Sequence, residues 1–206
     1  MDSMKNYFRL LAEDKQNDPT SGILSAFLSL AACVYSLGVR TFRWLYENKV
    51  LPRKRLPYPV ISVGNLTWGG TGKTPFVEYL ARKIGMHRRV PLVLTRGYSH
   101  DEAMELQNHL PTAVIGVGKD RAKVARRVKE EKRHVDIAIL DDALQHQVLH
   151  RDVDIVVVNS LNPFGNGSLI PRGILREPLD VLKRAAILVL THVNLVSPED
   201  LKKLKE

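Results

Sequence analysis

The chain has 206 residues, of which 44% are hydrophobic, so it can bury the core of one globular domain with an appendage, and global disorder is excluded. Its formal net charge of +9 favours an anionic partner, which could be a nucleotide, a nucleic acid or an anionic membrane surface. Cys33 is the only cysteine, which excludes an intrachain disulfide and a thiolate metal cluster.

The N-terminal region divides into a polar segment, residues 1–22, and an apolar segment, residues 23–50. The polar segment lacks a basic secretory signal, and its acidic residues argue against an ordinary organellar transit peptide. Residues 23–39 carry no charge and predict a helix about 25 Å long, just short of a bilayer core. Arginine and aromatic residues follow, so we predict a membrane-associated helix that lies in or dips into one leaflet. A spanning helix and a helix buried on the globular domain are the alternatives.

A strand, a glycine-rich loop and a helix follow the proline-rich linker 51–59, at the start of a core that we place at residues 56–206. The loop reads TWGGTGKT, and the helix after it is predicted to end with Gly85 as its C-cap. This context is typical of a P-loop, in which glycines turn backbone N–H groups toward one anion beside a helix N-terminus. The predicted nucleotide-binding residues are Thr67, Trp68, Gly69, Gly70, Thr71, Gly72, Lys73 and Thr74.

Three of these positions carry specific expectations. Lys73 is expected to neutralise the β- and γ-phosphates, and the Thr74 hydroxyl to bind Mg²⁺. Thr67 stands where the common pattern has glycine, which is a departure from that pattern.

An acidic pair, Asp141 and Asp142, follows a short apolar run that predicts another strand. Two adjacent acids at a strand end are costly unless a cation or water lies there, so we assign them the Walker-B role of binding Mg²⁺. Because successive strand residues point to opposite faces, one aspartate should face the metal and the other a ligand. The sequence does not distinguish their roles, and an acidic turn is the alternative.

Short apolar runs alternate with helical segments through the rest of the chain, which predicts an α/β fold. We expect a P-loop NTPase-like, mostly parallel sheet with helices on both faces, preceded by the apolar helix. Ligands should gather at the carboxyl ends of the strands. The basic helix predicted over residues 119–134 is interpreted as a solvated surface, and we expect no nucleic-acid partner. The runs lie at 58–65, 90–98, 112–118, 135–140, 153–160 and 185–193.

Six motifs in fixed order resemble the tetraacyldisaccharide 4'-kinase (lipid A 4'-kinase) family: ISVGNLTWGGTGKTP, TRGY, DDALQH, RDVDIVVVN, FGNGSLIPRGILREPL and LKRA. The resemblance covers about residues 36–196, and the family also carries threonine at the position of Thr67. It implies ATP, Mg²⁺ and transfer of the γ-phosphoryl group to the 4'-hydroxyl of an acylated disaccharide 1-phosphate at a membrane surface.

The resemblance also implies roles for individual residues. Asp101 is implied to deprotonate the acceptor hydroxyl, with Lys73 and Asp142 as the other catalytic residues. The residues implied to bind substrate are Arg96, Glu102, Arg121, Gln145, Arg176 and Glu177. From the residues alone, Asp101 and Glu102 would be read as a surface loop, Arg176 and Glu177 as an ion pair, and His146 as a strand-end histidine.

The chain departs from the family pattern at three places. The segment after Asp101 and Glu102 is short and begins with Ala103, and Ala143 replaces a glycine. Family members also continue beyond the equivalent of Glu206, with a histidine expected to assist the Asp101 equivalent.

The short loop suggests a plant, mitochondrial member, whereas a bacterial member would act on the cytoplasmic face of the inner membrane. A truncated, non-catalytic nucleotide-binding and membrane-docking module is the alternative function, and a P-loop switch acting on protein or nucleic acid is a third.

Overall fold

A computed structural model describes residues 19–97 and 100–205 and contains one six-stranded parallel sheet. The strand order is β3-β2-β4-β1-β5-β6, and all five neighbouring pairs are parallel. Each strand lies inside or against an apolar run that predicted it, which confirms the expected fold class. The strands are β1 (Val60–Gly64), β2 (Pro91–Thr95), β3 (Val114–Val117), β4 (Ile137–Asp141), β5 (Val153–Asn159) and β6 (Ile187–Thr191).

Five helices are described along the chain. They are α1 (Pro19–Glu47), α2 (Lys73–Met86), α3 (His100–His109), α4 (Arg121–Glu130) and α5 (Pro198–Lys205). Two short 3₁₀ turns, Leu179–Arg184 and Val193–Leu195, flank β6.

Two local predictions about these helices were wrong. Gly85 does not cap α2, because the helix continues to Met86 and His87 is its C-cap. A Cβ at position 85 would lie 3.1 Å from the Thr112 hydroxyl oxygen, so this glycine permits the close approach of Thr112 to the helix. The segment around Asp101 and Glu102 is the first turn of α3 and not a loop.

The sheet buries apolar side chains on both faces. Leu92 and Leu94 of β2 join the core cluster that includes Ala125 of α4, whereas Val93 joins the cluster on the opposite face. That second cluster includes Val77 of α2 and Leu106 of α3. The alternation follows from the two-residue period of a strand. Both faces are therefore covered by helices, and polar groups collect at the ends of the strands.

The register of the central strands places two predicted motifs side by side. Val63 of β1 pairs with Asp141 of β4, so the acidic pair emerges beside the start of the glycine-rich loop. The proposed boundaries of the three segments, residues 1–22, 23–50 and 56–206, stay predictions. Helix α1 begins at Pro19, inside the segment that was predicted to be polar, and residues 1–18 lie outside the described structure.

Candidate functional site

The loop after β1 is fixed on a second backbone segment, residues 174–176. The Trp68 N–H donates to the Ile174 carbonyl at 2.7 Å, and the Arg176 N–H donates to the Leu66 carbonyl at 2.6 Å. Thr67, between these two loop residues, forms a β-bridge with Leu175 and is buried, whereas the Trp68 side chain is 78% exposed. The loop therefore holds its shape through main-chain hydrogen bonds and leaves its glycines at the surface.

The glycines after Trp68 open the loop toward solvent at the start of α2. Gly69 has φ 123° and Gly72 has φ 77°, values that side chains with a Cβ rarely adopt. Gly72 is the N-cap of α2, and no side chain of the described residues caps the helix there. The hydroxyl of Thr191 donates to the Thr71 carbonyl at 2.9 Å, so the end of β6 also supports the loop. Uncapped first-turn N–H groups are available to an anion.

Lys73, in the first turn of α2, lies between a neutral and an acidic partner. Its ammonium donates to the Asn65 side-chain oxygen at 2.9 Å and lies 3.6 Å from Asp142 Oδ1. Burial lowers the pKa of Lys73, and the charge of Asp142 opposes that shift. Asn65 is fully buried and also donates to the Thr67 carbonyl at 2.7 Å. Asn65 was not among the predicted site residues, although it directly follows β1.

The acidic pair at the end of β4 turns out to have two different surroundings. Asp142 adopts φ 46° and accepts a hydrogen bond from Arg176 at 2.9 Å. Burial alone would raise the pKa of Asp142, but Arg176 and Lys73 hold it below its ordinary value. Burial, followed by the charge of Asp142, raises the pKa of Asp141. Asp141 Oδ1 is buried and has no hydrogen-bond partner among the described residues.

The alanine that replaces the family glycine is compatible with this turn. The positive φ falls on Asp142 and not on Ala143, which is fully buried in the core. The turn therefore needs no glycine at position 143.

A basic cleft of about 260 Å³ opens next to Asp142. Four of the predicted substrate-binding residues come together there, namely Arg96, Arg121, Gln145 and Arg176. Lys119 and His146 complete the lining and had not been predicted as site residues. Lys119 could have been found from its position just after β3, since Arg96 follows β2 in the same way. The cleft combines an excess of positive charge with one carboxylate.

His146 contributes no positive charge to the cleft at neutral pH. Burial, reinforced by the charges of Arg121 and Arg151, lowers the pKa of His146 to about 4. The cleft cations are therefore supplied by lysine and arginine side chains.

Three predicted residues are not brought into this cleft by the described contacts. Glu177 is buried, at 4% exposure. This burial raises the pKa of Glu177, and the charges of Arg184 and Arg43 oppose the shift. Asp101 and Glu102 lie in the first turn of α3, but their side chains are outside what the structure describes. Their implied roles stay predictions. Arg176 forms its ion pair with Asp142, so the alternative pairing of Arg176 with Glu177 is not the one observed.

A family model described as tetraacyldisaccharide-1-P 4'-kinase, LpxK, matches residues 24–106 and 99–205. The chain belongs to the tetraacyldisaccharide 4'-kinase family. This membership confirms the resemblance carried by the six motifs, and it places the TWGGTGKT loop and the acidic pair within a known family of proteins.

Relatives in the tetraacyldisaccharide 4'-kinase family come from plants and bacteria. A protein of Arabidopsis thaliana named "Probable tetraacyldisaccharide 4'-kinase, mitochondrial" is 41% identical over 88% of this chain and 53% of its own length. The tetraacyldisaccharide 4'-kinase of Halothermothrix orenii is 38% identical over 89% of this chain and 54% of its own length. The chain therefore spans about half the length of the curated relatives it matches.

A solved structure of the same family shows the same fold. The crystal structure of the "apo" form of LpxK from Aquifex aeolicus in complex with ATP superimposes with a TM-score of 0.74 at 33% identity. The match covers 84% of this chain and 60% of that one. The P-loop core is thus shared with a family member that was crystallised with ATP.

Proposed function

We propose that this protein is an ATP-dependent kinase that phosphorylates the 4'-hydroxyl of a tetraacyldisaccharide 1-phosphate, a lipid A precursor. The observation that carries the proposal is the meeting of Lys73 and Asp142, 3.6 Å apart, at the head of a cleft lined by Arg96, Arg121 and Arg176. A phosphoryl donor and a phosphorylated acceptor both require such cations.

The nucleotide is proposed to bind on the loop between β1 and α2. The uncapped backbone N–H groups of the first turn of α2, after Gly72, and the Lys73 ammonium together form a site for the terminal phosphates of ATP. The Aquifex aeolicus relative was crystallised in complex with ATP, which supports this assignment.

Mg²⁺ is proposed to accompany the nucleotide, and the residues present fit it. Asp141 offers a buried carboxylate oxygen without a hydrogen-bond partner among the described residues, and Thr74 presents its hydroxyl in the first turn of α2. No cluster of three or more His, Cys, Asp or Glu side chains able to hold a metal was found in the described ranges. Mg²⁺ bound with ATP needs only one or two protein carboxylates, because phosphates and water supply the other ligands. The ion would supply positive charge to the phosphate oxygens.

The acceptor sugar is proposed to enter the basic cleft with Asp101 as its general base. Asp101 would accept the proton of the 4'-hydroxyl, whose oxygen would then attack the γ-phosphorus as the bond to the bridging oxygen of ADP breaks. Gln145 and Arg176 would orient the sugar phosphate, and Glu102 and Glu177 are retained as proposed substrate-binding residues.

A membrane surface is proposed as the site of action, with α1 as the contact. Residues Leu24–Glu47 are long and apolar enough to cross a bilayer, yet only 6% of the most apolar stretch is buried within the protein. Four exposed side chains, Phe27, Leu30, Val34 and Leu37, recur at intervals of three and four residues and form one stripe. Tyr35, Arg43 and Tyr46 lie on the opposite side and face the core. We propose that a helix held along one side in this way lies in one leaflet. The mitochondrial relative supports a mitochondrial location, and a bacterial origin would place the protein at the cytoplasmic face of the inner membrane.

Transfer of radiolabel from γ-labelled ATP to a tetraacyldisaccharide 1-phosphate in mixed micelles tests the proposal. We expect a labelled bisphosphate lipid, and Asp101→Asn should remove it while Mg²⁺–ATP still binds. The second candidate is a non-catalytic nucleotide-binding module that docks on membranes. ATP binding without transfer would support that candidate and overturn the kinase.

A further inference from the structure

Helix α1 contacts the segment that carries Arg176 at two points. The Tyr35 hydroxyl donates to the Arg176 carbonyl at 3.0 Å. Eight residues later on the same side of the helix, Arg43 donates two hydrogen bonds to the Asp180 carboxylate, at 2.7 and 2.8 Å. Positions 35 and 43 lie about 12 Å apart along the helix axis. The two contacts therefore attach both ends of segment 176–180 to one rigid element.

The contacts of Tyr35 and Arg43 are partly buried, and Asp180, the partner of Arg43, is 35% exposed. The Arg43 side chain is only 13% exposed, and Glu47 makes a further contact with Arg184 at 2.7 Å. Fork-like arginine–carboxylate pairs also fix orientation, because both N–H donors must meet the two oxygens together. The helix cannot shift along its axis without breaking this pair.

The attached segment reaches the nucleotide loop through one side chain. The Arg176 guanidinium donates to Asp142 and to the Asn65 side-chain oxygen, which also accepts from the Lys73 ammonium. The Arg176 backbone N–H donates to the Leu66 carbonyl at the base of the loop. A displacement of the backbone at residue 176 would therefore move a partner of Asn65 and a partner of Asp142 together.

We infer that α1 is a positioning element for the nucleotide site in addition to a membrane contact, and that Tyr35 acts through Arg176. The inference rests on the nucleotide binding included in the proposed function. Tyr35 and Arg43 are positioning residues, which contact Arg176 and Asp180. They hold segment 176–180 so that Arg176 contacts Asn65 and Asp142. The loss of either contact lowers the affinity of the loop for the phosphates of ATP.

The test is Mg²⁺–ATP affinity, measured by titration calorimetry on the whole chain in detergent. Tyr35→Phe removes one hydroxyl and should weaken ATP binding about threefold, the size expected from one hydrogen bond. Tyr58→Phe is the matched control, because the Tyr58 hydroxyl is buried and has no hydrogen-bond partner in the described part of the chain. It should leave the affinity unchanged.

A double-mutant cycle separates positioning from general stability. In an Arg176→Ala background, Tyr35→Phe should change ATP affinity by much less than in the wild type, because the route through Arg176 is already gone. Equal effects in both backgrounds, or an unchanged affinity of Tyr35→Phe, would overturn the inference while wild-type binding keeps the proposed function standing. Absence of ATP binding by the wild type would overturn both.

Discussion

At the scale of single residues, the site is organised by Asn65 as much as by its charged groups. This fully buried amide accepts from Lys73 and from Arg176 and donates to the Thr67 carbonyl. A neutral acceptor between two cations holds them close without cancelling their charge. Asp142 pairs with both cations, so the two cations and this one carboxylate together keep a net positive charge for a phosphate.

Lys73→Ala tests the phosphate role of the lysine. We expect Mg²⁺–ATP affinity to fall by about a hundredfold, or 2.7 kcal/mol, because the ammonium proposed to neutralise the phosphates is lost. Lys83→Ala is the control on the same helix, since Lys83 lies over the Tyr79 ring and away from the loop. Equilibrium binding of a fluorescent ATP analogue measures both variants, and an unchanged affinity of Lys73→Ala would count against the P-loop assignment.

At the scale of elements, α1 is unusual in presenting two chemically different sides. Its inner side packs Ala32 and Tyr46 against the core and carries the contacts to Arg176 and Asp180. Its outer side exposes Leu30 and Leu37 at 66% and 67%. Burial of such a stripe in lipid would remove apolar area from water without undocking the helix.

A charged stripe should release the protein from membranes. Leu30→Glu combined with Leu37→Glu should weaken binding to vesicles containing anionic phospholipid by at least about tenfold. The two exposed leucines would no longer enter the lipid, and the two added carboxylates would be repelled by the anionic headgroups. Met86→Glu with Met104→Glu is the control, since both methionines are exposed on core helices. Co-sedimentation measures the bound fraction. If the stripe variant still sediments like the wild type, α1 is not the anchor.

At the scale of the whole molecule, stability depends on a buried carboxyl group between α1 and the core. Burial raises the pKa of Glu177 from 4.5 to about 7, even though Arg184, Arg43 and Arg151 act in the opposite direction. The folded state therefore keeps a proton that the unfolded chain releases between these two values. Because the folded state binds more protons there, the free energy of unfolding should fall as pH rises from 4.5 to 7 and then level off.

Glu177→Gln removes this titration and isolates its contribution. The stability of the variant relative to the wild type should increase by about 3 kcal/mol between pH 4.5 and pH 8, at 1.36 kcal/mol for each pKa unit. Urea unfolding at several pH values measures the difference. Glu130→Gln on the exposed side of α4 is the control and should show a much smaller change. A constant difference for Glu177→Gln across this range would mean that Glu177 is ionised in the folded protein at pH 5.

The sequence by itself determined the strands, the glycine-rich loop, the acidic pair and the family. These features are local. A few consecutive apolar residues predict a strand, and a P-loop is recognised by glycines and a lysine that are close together in the chain. Only the tertiary structure decided that Arg176 reaches Asp142 across 34 positions, that Asn65 joins Lys73 to Arg176, and which side of α1 faces the core. Such contacts depend on how distant segments pack, and a side chain's partner is fixed by the space around it and not by its neighbours in the chain.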